Sequence, residues 1–180
     1  LKIMEEEASR MSRLIDDLLS LSRVEVDEHI IPDEMVPLLD VVKSVIASLE
    51  PRAARRQMDI VLADDRPSQL NRPVMYGFSD EINEVFHNLI ENAIKYGFEG
   101  TDIHINISAG EASHVRVCVT NTGEVISENH LGRLTERFYR VDKARSRQIG
   151  GTGLGLAIVK HIVNRHRGTM EITSTAEGVT

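Results

Sequence analysis

The sequence predicts an α+β protein: a two-layer α/β sandwich preceded by one long helix. Three observations carry that prediction. Residues 1 to about 25 hold a helical apolar period that neither Gly nor Pro interrupts. Ser79–Tyr96 and Leu154–His166 repeat the same period. Between them, Ile103, Ile105 and Ile107, then Val115, Val117 and Val119, alternate with polar residues as strands with one buried face do. Helices and an antiparallel-rich sheet in that arrangement pack as layers.

In chain order, the first helix carries Met4, Met11, Leu14, Leu18 and Leu21 on a heptad-like seam, widened by Ala8, Ile15 and Leu19. A stripe that wide predicts either a helical partner, as in a four-helix bundle, or docking on the chain's own domain. Pro32 and Pro37 bracket an acidic linker. Helical periodicity resumes over Leu38–Leu49, ending before Pro51, and Met58–Leu62 reads as a short strand. Asp64–Pro73 reads as a polar loop. Ser79 or Asp80 is placed to cap the next helix, Ile82, Val85, Phe86, Leu89, Ile90 and Ala93 form its apolar face, and Gly97 and Gly100 end it. The two alternating runs form a hairpin turning at Ala109–Ser113. A short helix near Asn129–Leu134 follows, then a basic segment to Gly150, the Leu154–His166 helix and a strand at Met170–Ser174. One more strand is expected where the chain stops.

Composition narrows the function. At 180 residues with 41% apolar residues, the chain is long enough for a core, which is aliphatic because Trp is absent. A net charge of −7 argues against direct nucleic-acid binding. The single cysteine, Cys118, rules out an internal disulfide framework and reads as a buried core thiol. No apolar run approaches the roughly 20 residues of a membrane helix. Starting at Leu1 inside a helical pattern, the chain reads as part of a longer protein, with any membrane attachment in upstream segments.

Four segments carry chemistry. Gly150-Gly151-Thr152-Gly153-Leu154-Gly155-Leu156 runs straight into a helix. Its glycines permit close backbone approach, and a helix N-terminus offers N–H groups to an anion. Such a turn suits a phosphate, and equally a flexible lid boundary. Asn88, Asn92 and Lys95 share one helical face, with Tyr96 next to them. Carboxamide oxygens suit a hard cation such as Mg2+ and the lysine suits phosphate, although a solvated polar face has the same pattern. Asn121-Thr122-Gly123-Glu124-Val125-Ile126 ends a strand. Arg137-Phe138-Tyr139-Arg140 precedes the basic run Lys143–Arg147, which reads as a lid over a triphosphate or as an exposed loop.

In order and spacing, these segments resemble the catalytic and ATP-binding domain of bacterial sensor histidine kinases, in the wider gyrase and Hsp-type (GHKL) ATPase superfamily. Asn88–Tyr96 resembles the N box, Asn121–Ile126 the first glycine box, Arg137–Arg140 the F box region, and Gly151–Leu156 the second glycine box. Met11–Leu19 resembles the second helix of the dimerisation and histidine-phosphotransfer domain. The resemblance implies a Bergerat-type ATP-binding fold over residues 38–180 with its last strand truncated, a linker at 29–37, and a four-helix-bundle helix at 1–28. It implies a protein-histidine kinase that uses ATP and Mg2+, with Asn92 and Asn88 on the metal and Asn88, Lys95 and Arg140 as the catalytic set. Lys95 would contact phosphate, and Arg140 would neutralise the γ-phosphate. Tyr96, Asn121, Gly123 and Ile126 would line the adenine end, and Gly151, Thr152, Gly153, Leu154, Gly155 and Leu156 would cradle the triphosphate. The acceptor histidine would precede Leu1, since none of the seven histidines present lies in an acceptor motif. The implied partners are a response-regulator receiver domain and a second copy joined through the first helix. The implied location is the cytoplasmic part of an inner-membrane sensor.

The chain departs from the pattern at three positions. Asn121 stands where the first glycine box carries Asp, Val125 replaces its second glycine, and Thr135 replaces the first Phe of the F box. Asn keeps an acceptor oxygen for the adenine amino group but loses the charge. Val125 resists the positive φ that Gly permits. A rival reading follows: a degenerate ATP-binding domain that serves regulator docking or dephosphorylation. An ATPase clamp of the repair or chaperone type fits less well, because those relatives carry a catalytic Glu where Asn88 stands.

Overall fold

The uninterrupted period at the N-terminus forms helix α1 (Lys2–Val26). The computed structural model describes residues 2–26, 29–64, 74–110, 114–141 and 151–180. Backbone packing groups residues 1–31 with 128–170 as one unit, and residues 32–127 with 171–180 as a second.

In the first unit, α1 packs against α5 (Gly155–Arg165), and the short α4 (Glu128–Leu131) lies between them in sequence. The buried residues of α1, Leu21 and Val24, are in its C-terminal part. Nearer its N-terminus, Met4, Met11, Ile15, Leu18 and Leu19 remain exposed. The apolar stripe is therefore partly docked on its own chain and partly uncovered. Helix α4 ends three residues short of the expected Leu134, and the chain passes through turns instead. No helix among the described residues is long and apolar enough to cross a membrane.

In the second unit, β1 (Glu34–Pro37) pairs antiparallel with β3 (Val74–Gly77). The stretch read as linker thus ends in a strand, because Val36 is buried and needs a paired backbone. Helix α2 (Leu38–Ala54) runs past its expected end and contains Pro51. Pro51 withholds a hydrogen bond from the Ala47 carbonyl, but Ala47 is exposed and water can serve it, while buried Leu49 and Ala53 hold the last turns to the core. Strand β2 (Ile60–Asp64) starts two residues later than expected. Asp64 therefore belongs to a strand, and the rest of the expected 64–73 loop lies outside the described residues. Helix α3 (Ser79–Tyr96) has the predicted bounds. Its N-cap is Phe78, without a side-chain hydrogen bond, so neither Ser79 nor Asp80 caps it. The helix begins instead with the Ile82 amide bonded to the Phe78 carbonyl, and Asp80 and Glu81 lie in the first turn where they favour the dipole.

Strands β4 (Ile103–Ala109) and β5 (Val115–Asn121) form the predicted antiparallel pair. The sheet order is β2-β4-β5-β7-β6, and among the described residues only the β2–β4 pair is parallel. Ile103, Ile105 and Ile107 are fully buried in a core with α2 and α3, each contributing roughly 1.5–3 kcal/mol. This gives the two-layer sandwich. Cys118 is only half-buried, because β5 carries a partly open pattern, so the expected core thiol is corrected. The expected Met170–Ser174 strand shrinks to β6 (Ser174–Thr175), paired with β7 (Gly178–Val179). Thr173 and Thr180 exchange backbone hydrogen bonds at 2.8 and 2.9 Å to close that hairpin.

Candidate functional site

The candidate residues fall on both units, and each half is built by its own packing. In the second unit, α3 buries Ile82, Val85, Phe86, Ile90, Ala93 and Ile94, which leaves Asn88, Asn92 and Lys95 off the core. The Asn88 amide nitrogen donates to the Glu84 carbonyl at 3.0 Å. That bond orients the carboxamide and leaves its oxygen as the end suited to a cation. The Lys95 ammonium donates to Glu91 at 2.7 Å, and Glu91 also pairs with Arg52. Burial acts to raise the Glu91 carboxyl. The hydrogen bond and charge of Lys95, with the charge of Arg52, outweigh it and hold the group below the ordinary carboxylate range. One of the three ammonium donors is thereby committed, and two remain for a phosphate.

The C-terminal end of α3 is stitched to the first glycine box. Phe98 donates its amide to the Thr122 carbonyl at 2.8 Å, and Gly97 bridges Gly123. A Cβ at Gly123 would lie 3.0 Å from both the Tyr96 carbonyl and Asn121 Nδ2. Glycine there lets Tyr96 and Asn121 approach each other. Asn121 ends β5, opposite Ile103 and Val179, and is 8% exposed. A Cβ at Gly178 would sit 2.7 Å from the Asn121 carbonyl, so β7 also depends on a glycine at this corner. Tyr96 keeps 42% of its surface exposed. The Ile126 amide is held by the Ser174 hydroxyl at 2.9 Å. Val125 is exposed and does not adopt positive φ; among the described non-glycine residues only Gln57, Phe138 and Arg167 do. The backbone demand expected at position 125 is therefore absent, and Val fits there without strain.

In the first unit, Gly153 has φ +79°, which only glycine adopts readily. Its carbonyl accepts the Phe138 amide at 2.8 Å, and a Cβ on it would meet the Phe138 backbone at 3.0 Å. The Gly151–Leu156 turn thus holds the Arg137–Arg140 segment against itself. Phe138 has φ +62°, a strained conformation for a bulky residue. Thr152 donates to Asp17 at 2.6 Å and accepts the Leu154 amide at 3.3 Å. Leu154 is fully buried and caps α5, whose first helical bond runs from Ile158 to Leu154. Gly155, Leu156 and Ala157 consequently have amides that precede the helical ladder, the geometry of an anion site. Gly151 is half-buried; Gly150 and the basic run Lys143–Arg147 lie outside the described residues.

Arg133, Glu136, Arg137, Phe138, Tyr139 and Arg140 line a depression of about 390 Å³. Arg133 stacks over the Tyr139 ring at 4.2 Å, and the Tyr139 hydroxyl bonds His130 Nδ1. Among the described residues, Arg140 Nε and Nη2 are buried without a hydrogen-bond partner. That donor set fits an anionic group such as a phosphate. The carboxamides of Asn88 and Asn92 fit an oxygen-preferring cation; among the described residues no group of three His, Cys, Asp or Glu is arranged for a metal. Asp17, Arg52, Arg56 and Glu91 contact these elements and were not picked out from the sequence. Only Glu91, inside the N box and four residues before Lys95, left a sequence signal.

Residues 77–180 match the family model of histidine kinase-, DNA gyrase B- and HSP90-like ATPases. The phosphate regulon sensor protein PhoR of Pseudomonas aeruginosa is 38% identical over 174 residues, 97% of this chain and 38% of PhoR. The sensor histidine kinase CusS of Escherichia coli K12 is 35% identical over 173 residues, 96% of this chain and 35% of CusS. The chain thus spans little more than a third of the length of these relatives. Among solved structures, full-length ShkA in complex with AMPPNP aligns with TM-score 0.80 at 22% identity, over 99% of this chain and 36% of ShkA. The catalytic domain of histidine kinase ThkA aligns with TM-score 0.68 at 25% identity, over 81% of this chain and 90% of that domain. The chain belongs to the family of histidine kinase-, DNA gyrase B- and HSP90-like ATPases, and the relatives that match nearly all of it include sensor histidine kinases.

Proposed function

We propose that this chain is the ATP-binding catalytic part of a two-component sensor histidine kinase, and that it directs the ATP γ-phosphoryl group to a histidine on a dimerisation helix of the parent protein. A response-regulator aspartate then receives the group. The observation that carries the reading is Arg140, a half-buried side chain whose Nε and Nη2 are buried and have no hydrogen-bond partner among the described residues, on a segment docked to the Gly151–Leu156 turn. Buried donors without acceptors are costly, and an anionic ligand relieves that cost. In phosphoryl transfer such a group neutralises the charge that develops on the moving phosphoryl. Asn92 and Asn88 would hold Mg2+, which shields the phosphates when bound. Lys95 would give its remaining donors to phosphate. The amides at Gly151–Leu156 would cradle the triphosphate, and Tyr96, Asn121, Gly123 and Ile126 would receive the adenine.

The acceptor is assigned to the parent because none of the seven histidines lies in an acceptor motif, so this chain alone would not phosphorylate itself. Residues 1–28 would be the second dimerisation helix, the linker read at 29–37 would end before β1, and the strand and residues 38–180 would form the catalytic domain. The exposed Met4, Met11, Ile15, Leu18 and Leu19 support pairing with a second copy through α1. The solved complex of ThkA with its response regulator TrrA supports a receiver-domain partner. A parent that senses at the membrane would place this part on the cytoplasmic side.

Titration calorimetry with a non-hydrolysable ATP analogue and Mg2+ tests the reading. Saturable binding that requires Mg2+ is expected. No heat at millimolar nucleotide, with the fold intact by circular dichroism, would overturn it.

A further inference from the structure

Helix α3 ends without the usual left-handed turn. Its C-cap, Gly97, has φ −65° and ψ 155°, so the last carbonyls receive no wrap-around amides beyond the Gly97 amide bonded to Ala93. Arg56, in the turn after α2, takes them instead. Its Nη1 donates to the Ile94 carbonyl and, at 3.1 Å, to that of Lys95. Its Nη2 donates to the Gly97 carbonyl at 3.1 Å. The Arg56 carbonyl accepts the Gly100 amide, also at 3.1 Å. One residue thereby grips the helix end and the turn beyond it from both its side chain and its backbone.

The carbonyl that Arg56 skips is that of Tyr96, and it faces Gly123 of the first glycine box. Met58 closes beneath Gly97: a Cβ there would meet Met58 Cε at 2.7 Å. Arg56 and Met58 therefore fix the segment from which the Tyr96 ring projects. A cation at a helix C-terminus also complements the dipole. Only a planar fork reaches three carbonyls at once; lysine keeps the charge without that geometry.

We infer that Arg56 is a positioning residue for nucleotide binding: it acts through the backbone of α3 to set Tyr96 and Gly123 at the adenine end. The inference rests on the reading of this site as a nucleotide site. A double-mutant cycle on this chain tests it, with Arg56→Gln, Tyr96→Ala and their combination titrated with the Mg2+–ATP analogue, and urea midpoints measured for each. Arg56→Gln is expected to weaken binding roughly tenfold, and the double variant to bind no worse than Tyr96→Ala alone. Arg56→Lys is expected to restore part of the affinity, and it carries the same cycle should Arg56→Gln unfold. Losses that add in the double variant mark a merely structural role and overturn the inference, as does unchanged affinity in Arg56→Gln. No binding by the wild type removes the nucleotide reading itself, and this inference with it.

Discussion

Thr152 in the second glycine box donates its hydroxyl proton to Asp17 on α1, at 2.6 Å. A carboxylate thus stands beside the loop proposed to hold a triphosphate. At a separation of about 6 Å in water, one unit charge repels another by about 0.7 kcal/mol, and a triphosphate carries several charges. Asp17→Asn keeps the shape and removes that charge. It is expected to tighten ATP binding about fivefold at low salt, with the gain fading in high salt. Calorimetry at two ionic strengths checks this, and equal affinities at low salt would refute it.

Arg140 separates binding from folding. Its two buried nitrogens make no hydrogen bond among the described residues, so Arg140→Gln forfeits none at those atoms. The urea midpoint without nucleotide is expected to hold or rise, while ATP affinity falls about tenfold. A fall in both together would show that Arg140 is a folding residue.

Asn121 is the inverse case. It is buried at the β5–β7 corner, where burial would disfavour an ionised Asp. Asn121→Asp is expected to lower the melting temperature without ligand and to raise ATP affinity about tenfold, through a charge-assisted bond to the adenine amino group. A far larger gain would favour the degenerate-module reading of the native chain.

Glu91 sets an acid limit. Lys95 and Arg52 hold its carboxyl below the ordinary range despite the opposing effect of burial. A group depressed in the folded state adds stability above its unfolded pKa of about 4.3, and that stability is lost as pH falls through the folded value. Glu91→Gln is therefore expected to be less stable than wild type at pH 7, with the difference shrinking as acid is added. Urea midpoints measured from pH 7 to pH 3 check it; a difference independent of pH would count against the ion-pair assignment.

Local chemistry made several elements legible. The bounds of α3 follow from a continuous apolar face and Gly97, and the β4–β5 pair follows from strict alternation. The chemical segments were legible for a related reason: glycines and paired carboxamides stand out against helix and strand propensity. The misreadings share a cause. Pro51 appeared to end a helix that core packing carries through, and Ser79 appeared to be a cap that Phe78 replaces with its backbone. Short strands such as β1, β6 and β7 have too few residues to show a period and exist only because a partner supplies their hydrogen bonds.

By itself the sequence determined the layer type, the order of the boxes and the residue types at each. Those depend on spacing along the chain, which the residues carry with them. Tertiary structure decided which groups are engaged. Asp17 and Thr152 are 135 residues apart, and Arg56 reaches carbonyls 38 to 41 residues away. Tertiary structure also showed that Val125 bears no strain and that Arg140 keeps unmet donors. These facts are set by burial and by contacts between distant segments, and no local pattern encodes where a side chain finds, or fails to find, its partner.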